Sequence, residues 1–385
     1  MTVPNSADGQ VPAAPAENVK EIDKLFLAMT KSKPQASDLH LKAGSPPMYR
    51  IAGQVVRAKY PPLTNDQIKG LISTIMGPDQ DRELDEKGAA DFAYGVRGAG
   101  RYRVNVYKQR GAISMAARRV QTDIPTLEQL QLPTAVGKLA NFESGLALVA
   151  GVTGSGKSTT LAAIIQIINT TMPCHVVTIE NPIEYLYRDD KAFINQREIG
   201  IDTPDFANAL RHVLRQDPDV ILVGEMRDGE TIETALMSAE TGHLVFGTVH
   251  AAAAGQTISR VLDYFPPDRH HQIRQLLYFN LRAVLVQKLL KGARPEIPRV
   301  PACELMFVNP IIKKLIFEKE DNKISDVIRS SKQEGMQDFN SSLQDLIKRG
   351  LITEAVGMEN SPNPEQLSMN LKGIVLGSDR GVIVG

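Results

Sequence analysis

Cysteine is scarce in this chain of 385 residues: there are two, Cys174 and Cys303, far apart and in no Cys-x-x-Cys pair. That excludes a disulfide framework and a cysteine zinc site, and it suits a reducing compartment. Excess charge of either sign is missing as well: 44 basic residues balance 44 acidic ones. A chain that lives on nucleic acid usually carries a basic excess, so no nucleic-acid partner is expected. No apolar run approaches the ~18 residues needed to span a bilayer, which excludes direct insertion of a membrane helix. The N-terminal stretch is polar and lacks the charged-then-apolar order of an export signal, so a cytoplasmic protein is expected. There is no internal repeat. What is present is ordinary for a large core, with 42% apolar and 23% charged residues. At roughly 100–200 residues per domain, the length suggests two domains or three.

The first 18 residues are rich in Pro, Ala and polar side chains and read as a disordered tail. Residues 19–120 mix patterns. Ile22, Leu25, Phe26 and Met29 have helical spacing, and "SDLHLKAGSPPMYRIAGQVVR" reads as short strands with Gly and Pro turns. "RYRVNVY" alternates, with Tyr102, Val104 and Val106 on one face and Arg101, Arg103 and Asn105 on the other. "KQRG" is a turn candidate and "AISMAAR" the returning strand. An α+β domain with an antiparallel sheet is expected. Residues 121–134 read as a linker. From there on short apolar runs alternate with helical patterns, which predicts a mostly parallel sheet covered on both faces. Thr203 with Pro204 is the expected start of one of these helices. Beyond Gly255 the chain reads as nearly all helix, including "LRAVLVQKLL". The ATPase-like part is expected to span 135–355, followed by a polar, flexible tail at 356–385.

"GVTGSGKST", Gly151 to Thr159, matches the phosphate-binding loop. Its glycines let backbone N–H groups wrap phosphates, Lys157 reaches the β/γ oxygens, and Ser158 can hold Mg²⁺. A strand precedes it and a helix follows, as that chemistry requires. Gly151, Thr153, Gly154, Ser155, Gly156, Lys157, Ser158 and Thr159 are therefore candidate nucleotide-binding residues. "PDVILVGE" is an apolar strand ending in Glu225, a candidate for Mg²⁺, directly or through water, or for general base. Such a strand is expected beside the loop strand; the plain alternative is a surface glutamate. "VVTIENPIEY" puts Glu180 at the carboxyl end of another strand, where ligands sit in open α/β sheets. Glu184 reads equally as an exposed or capping acid. "GHLVFGTVH" places His243 and His250 at either end of a strand, seven apart and so on opposite faces. His250, at the carboxyl end, is the better candidate to sense a γ-phosphate; a core histidine is the competing reading.

Together these segments resemble the secretion ATPases of type IV pili and type II secretion, and within them the PilT-like retraction ATPases of twitching motility, over about residues 20–355. "SDLHL" resembles the family's N-terminal PAS-like domain. "GVTGSGKST", "TIENPIEY", "LRQDPDVILVGEMRD" and "AETGHLVFGTVH" resemble its Walker A, Asp box, atypical Walker B and His box, in family order. The resemblance implies a PAS-like α+β domain followed by a RecA-like P-loop ATPase domain with a helical C-terminal part. It also implies ATP and Mg²⁺, a homohexameric ring with nucleotide between the domains, and an inner-membrane pilus platform protein as partner. The localisation implied is cytoplasmic, peripheral to the inner membrane.

The run from Arg97 to Arg119 holds seven basic residues and no acidic one. In the family, arginines of this domain project towards the phosphates, and the matching positions are Arg103 and Arg110, with Arg118 also matching. A charge clamp on the transferring phosphoryl is then expected, against a solvated basic face or a docking surface for an acidic partner. His243 joins the nucleotide-binding candidates on the same resemblance.

The chain departs from the family at Asn181, at "HAAAAG" after His250, where a hydroxyl contact is lost, and at Ala52. It departs most in "IIKKLIFE", Ile311 to Glu318, which lacks the arginines of the retraction signature. The expected function is a retraction motor. An accessory retraction ATPase acting beside a sister enzyme is an alternative. So is an assembly ATPase, disfavoured by a short leader and by two isolated cysteines that cannot build a tetracysteine zinc module. From another class, a RecA-like nucleic-acid translocase is opposed by the neutral charge.

Overall fold

The computed structural model describes residues 20–373; the tail expected at 1–18 lies outside them. The chain divides into two compact units, Met1–Val120 and Gln121–Gly385.

The first unit begins with α1 (Glu21–Lys31), β1 (Ala36–Lys42), β2 (Met48–Ile51) and β3 (Gln54–Arg57). It continues with α2 (Asn65–Ser73), α3 (Pro78–Lys87), β4 (Ala89–Val96), β5 (Gly100–Gln109) and β6 (Ala112–Arg119). The six strands form one antiparallel sheet in the order β3-β2-β1-β6-β5-β4. Ile22, Phe26 and Met29, spaced for one helix face, bury that face of α1. The alternation in β5 holds: Tyr102, Val104 and Val106 enter the core while Arg103 faces solvent. Arg110 (φ 51°) and Gly111 (φ 76°) join β5 to β6. Positive φ at both central residues is what a two-residue turn needs to match the twist of its strands.

The second unit opens with a 3-10 helix, Thr134–Asn141, then β7 (Gly145–Ala150), α4 (Lys157–Thr171), β8 (His175–Glu180) and β9 (Phe193–Glu198). Next come α5 (Phe206–Val213), β10 (Val220–Val223), α6 (Gly229–Glu240), β11 (Leu244–Val249), α7 (Ala254–Leu262) and α8 (His270–Asn280). It closes with β12 (Leu281–Arg294), β13 (Ile297–Phe307), α9 (Pro310–Glu318), α10 (Ile324–Ser330), α11 (Phe339–Lys348), α12 (Glu354–Asn360) and α13 (Pro364–Leu371). The sheet order is β13-β12-β7-β11-β10-β8-β9, parallel throughout except β12–β13. Alternate residues of β7 feed opposite cores. Leu146, Leu148 and Ala150 pack on one face of the sheet, and Ala147 and Val149 on the other. Both faces being covered is why these strands read as unbroken apolar runs. Each fully buried Leu or Ile contributes about 1.5–3 kcal/mol.

Several expectations are corrected. "LRAVLVQKLL" is strand β12, paired with β7 and β13, not helix. It is buried on both faces, and such a run carries no period that distinguishes strand from helix. Pro298 and Pro301 sit in β13, which tolerates them because it is the sheet edge. The tail expected from 356 is helical as far as it is described, with Thr353 capping α12 and Leu367 of α13 buried. α5 is capped not by Thr203 but by Asp205, whose carboxylate accepts from Asn208 N at 2.7 Å. Residues 121–133 hold no helix or strand, yet Leu127, Leu130 and Leu132 pack on the core of the second unit. Finally, β10 does not adjoin β7, because β11 lies between them.

Candidate active site

Every parallel strand of the second unit ends on the same edge of the sheet, and four ends carry polar chemistry. β7 runs into the loop Gly151–Gly156, β11 into His250, β10 into Gly224 and Glu225, and β8 ends at Glu180. A cleft of about 430 Å³ opens over these ends. Lys157, Ser158, Glu180, Glu225 and His250 all line it.

The loop is shaped by glycines where no side chain fits. Gly151 has φ 144°, and a Cβ there would lie 2.4 Å from the Gln287 backbone oxygen. Gly156, at φ 92°, is the residue before α4 and aims the N-terminus of α4 at the cleft. Four orphan amides and the helix dipole make that end a site for anions. Lys157 Nζ donates to Gly151 O at 2.8 Å and Val152 O at 3.1 Å. Burial lowers its pKa from the usual lysine value, against the opposing pull of Glu225 and Glu184. Thr159 shares a hydrogen bond of 3.2 Å with the Tyr185 hydroxyl, linking α4 to the segment after β8.

The two carboxylates sit in opposite environments. Burial acts to raise Glu225, but hydrogen bonds from Arg227 and His250 outweigh it and hold the carboxyl below the ordinary range. Both contacts converge on Oε1, Arg227 Nε at 2.6 Å and His250 Nε2 at 3.0 Å. Glu180 is pushed above the ordinary range by burial, although Thr178 Oγ1 and Gln196 Nε2 donate to its Oε1 at 2.7 and 3.1 Å. Glu225 is thus a fixed anion, and Glu180 the carboxylate with the stronger appetite for a proton. Among the described residues no three His, Cys, Asp or Glu side chains gather into a metal cage. Mg²⁺ does not require one: it binds through one or two oxygens plus phosphates and water. The Ser158 hydroxyl and the Glu225 carboxylate, both hard oxygen donors in this cleft, fit that ion.

After His250 the chain crosses Ala251–Ala253 into α7, and Ala253 has no side chain to cap it. The cap comes from β13: Glu304 Oε2 accepts from Ala254 N at 2.6 Å. Burial pushes the Glu304 carboxyl up to about 7.

His243 is corrected. It lies at the amino end of β11, away from the cleft, where its Nδ1 meets Ser238 O at 2.8 Å and Thr241 Oγ1 at 3.2 Å. Arg118, in the first unit, is engaged by Asp38 at 2.7 Å, its register partner across β6 and β1. Burial acts to raise Asp38, but hydrogen bonds from Ser37 and Arg118 prevail and lower it. Arg103 stands opposite Arg118 on β5, and Arg110 occupies the hairpin turn. Arg227 and Arg299 add positive charge to the cleft from within the second unit. Arg227 had a signal: in "GEMRD" it lies two residues from Glu225, on the same side of an extended chain. Arg299, far along the sequence, had none.

The sequence profile of the family described as Type II/IV secretion system protein matches residues 115–360. The chain is 42% identical over 344 residues to the type IV pilus retractation ATPase PilT of Pseudomonas aeruginosa, covering 89% of this chain and 99% of that one. It is 37% identical to the type IV pilus ATPase PilU of the same organism, over 93% and 92%. A crystal structure of the pilus retraction motor PilT with bound ADP superposes with a TM-score of 0.79 at 46% identity, covering 91% of this chain and 98% of that one.

Proposed function

This chain belongs to the Type II/IV secretion system protein family, and on that premise we propose that it is the ATPase motor that retracts type IV pili. One observation carries the reading: a match to a retraction ATPase along 89% of the chain, with Lys157, His250, Glu225 and Glu180 brought into one cleft. The loop amides and Lys157 hold the phosphates of ATP. Ser158 and Glu225 would hold Mg²⁺, which would neutralise charge on the phosphates. Glu180 takes the proton from the attacking water as the bond from the γ-phosphorus to its bridging oxygen breaks. His250 and Arg227 keep Glu225 ionised and oriented. Arg103 and Arg110 are assigned to stabilising the transferring phosphoryl, with Arg118 held for β6–β1 pairing. The working form is a homohexamer of chains that each carry an N-terminal PAS-like and a C-terminal ATPase domain. It works on an inner-membrane platform protein from the cytoplasmic side. Among the described residues no helix is long and apolar enough to cross a membrane.

A second reading, an accessory ATPase beside a sister retraction motor, is favoured by α9, which exposes the apolar side chains of Ile311 and Phe317 and carries Lys313 and Lys314 but no arginine. A deletion strain complemented with Lys157→Ala tests both. Piliated cells unable to retract, together with purified Lys157→Ala protein that releases no phosphate, support the motor. Retraction that persists and only weakens under load supports the accessory role. A strain without pili refutes both.

A further inference from the structure

Two buried polar atoms beside the phosphate loop have no hydrogen-bond partner: Ser155 Oγ in the loop and Gln287 Oε1 on β12. Both residues are about 1% exposed. Strand pairing places the glutamine there. Val286 is opposite Ala150, the last residue of β7, so Gln287 is level with Gly151. A Cβ on Gly151 would lie 2.6 Å from Ser155 Oγ and 2.4 Å from the Gln287 backbone oxygen, so the two residues flank the same glycine. A Cβ on Gly156 would lie 3.8 Å from Gln287 Nε2, so the amide reaches under the loop.

A buried, unpaired acceptor costs its desolvation, and an apolar side chain of similar size avoids that cost. Here the two unpaired groups are complementary, since a hydroxyl donates and an amide oxygen accepts. The contacts of Lys157 give them a use. Its ammonium donates to the carbonyls of Gly151 and Val152. Phosphate binding redirects that ammonium to phosphate oxygens, and the loop must then be held by something other than its own lysine. We infer that Gln287 is a positioning residue of the phosphate loop: when nucleotide binds, the Ser155 hydroxyl donates to Gln287 Oε1 and fastens the loop to β12. This rests on the reading of Gly151–Ser158 as a nucleotide loop.

The test uses the full chain and fluorescent ADP. If the unmutated chain fails to bind ADP, the loop assignment itself falls, before any variant is made. Gln287→Leu leaves the melting temperature without added nucleotide unchanged or raised, while the Kd for ADP rises about fivefold, equivalent to ~1 kcal/mol or one net hydrogen bond. Ser155→Ala keeps the loop amides, removes only the hydroxyl, and raises Kd by a similar factor. The double variant binds no worse than either single one, because the two changes break the same bond. An unchanged Kd in Gln287→Leu overturns the inference, as do losses that multiply in the double variant. Should Gln287→Leu lower the melting temperature, the cycle decides: Ser155→Ala on that background either adds no further loss, which supports the bond, or a full further loss, which refutes it.

Discussion

Replacing Glu304 with glutamine separates burial of charge from capping. The carboxylate lies on β13, accepts from Ala254 N at 2.6 Å and is 6% exposed. Burial, with Asp338 adding to it, lifts its pKa from the ordinary 4.5 to about 7, against the Ala254 bond and Lys288. In the unfolded chain the group ionises near 4.5. Below that pH both states are protonated and the shift has no effect on stability. Between 4.5 and 7 the folded protein holds a proton the unfolded one has lost, so stability falls as pH rises, and above 7 the full loss is present. The shift of about 2.5 units corresponds to ~3 kcal/mol at 1.36 kcal/mol per unit. Glu304→Gln keeps an oxygen for Ala254 N and cannot ionise. Its stability relative to the unmutated chain should therefore rise by that amount from pH 4.5 to 8. At about 2–4 °C per kcal/mol the melting-temperature difference between the two proteins should widen by roughly 6–12 °C across that range. Scanning calorimetry at four or five pH values measures it. Parallel curves for the two proteins would refute the reasoning, because a carboxylate that ionises freely in the fold is not desolvated there.

Glu225→Gln should retain ATP binding and lose turnover, since it removes the fixed anion to which Mg²⁺ is assigned in the proposed mechanism. Glu180→Gln should also lose turnover. In the unmutated enzyme the rate should climb with pH through a carboxyl ionisation above 4.5, as a group raised by burial must lose its proton before it can accept one; an acid limb at an ordinary carboxylate pKa would count against Glu180 as base. His250→Ala should slow hydrolysis by freeing Glu225, whereas His243→Ala should lower the melting temperature and leave turnover within twofold; the reverse pattern would undo the separation of the two histidines. Arg103→Ala with Arg110→Ala should spare nucleotide affinity and cut turnover, by less than the ~10³–10⁵ of a single arginine finger. Mixing such subunits with Lys157→Ala subunits reads supply between chains as recovered activity, and unmutated turnover in the double variant would make the run a charged surface.

The phosphate loop was legible because its glycine spacing is demanded by backbone geometry and does not depend on neighbours. Glu180, Glu225 and His250 were legible because each closes an apolar run. What escaped were facts of pairing. The helical reading of "LRAVLVQKLL" failed because burial on both faces erases period, and without β12 nothing placed Gln287 under Gly151. The position of β11 between β7 and β10 depends on strand order, which short segments do not encode. Gln287 and Glu304 did leave a trace, each the one polar residue in an apolar stretch, "AVLVQ" and "PACELMF". A polar side chain kept in such a place needs a partner, but only the fold names it. His243 entered the candidates on the family resemblance alone; its place at the amino end of the strand had already set it apart from His250, and in a parallel sheet the two ends open on different edges.

The loop, His250, Glu225 and Glu180 hang from four consecutive strands, β7, β11, β10 and β8. Backbone hydrogen bonds fix neighbouring strands ~4.8 Å apart, so these groups stand on a ruler whose divisions no side chain can alter. Shortening Glu225 to aspartate withdraws its oxygens by about one bond length, ~1.5 Å, a fraction of a division that the neighbouring strands cannot make up by moving closer. A residue inserted in α5 or after β9 lengthens the path from Glu180 to Glu225 along the chain and leaves their distance across the sheet as it was.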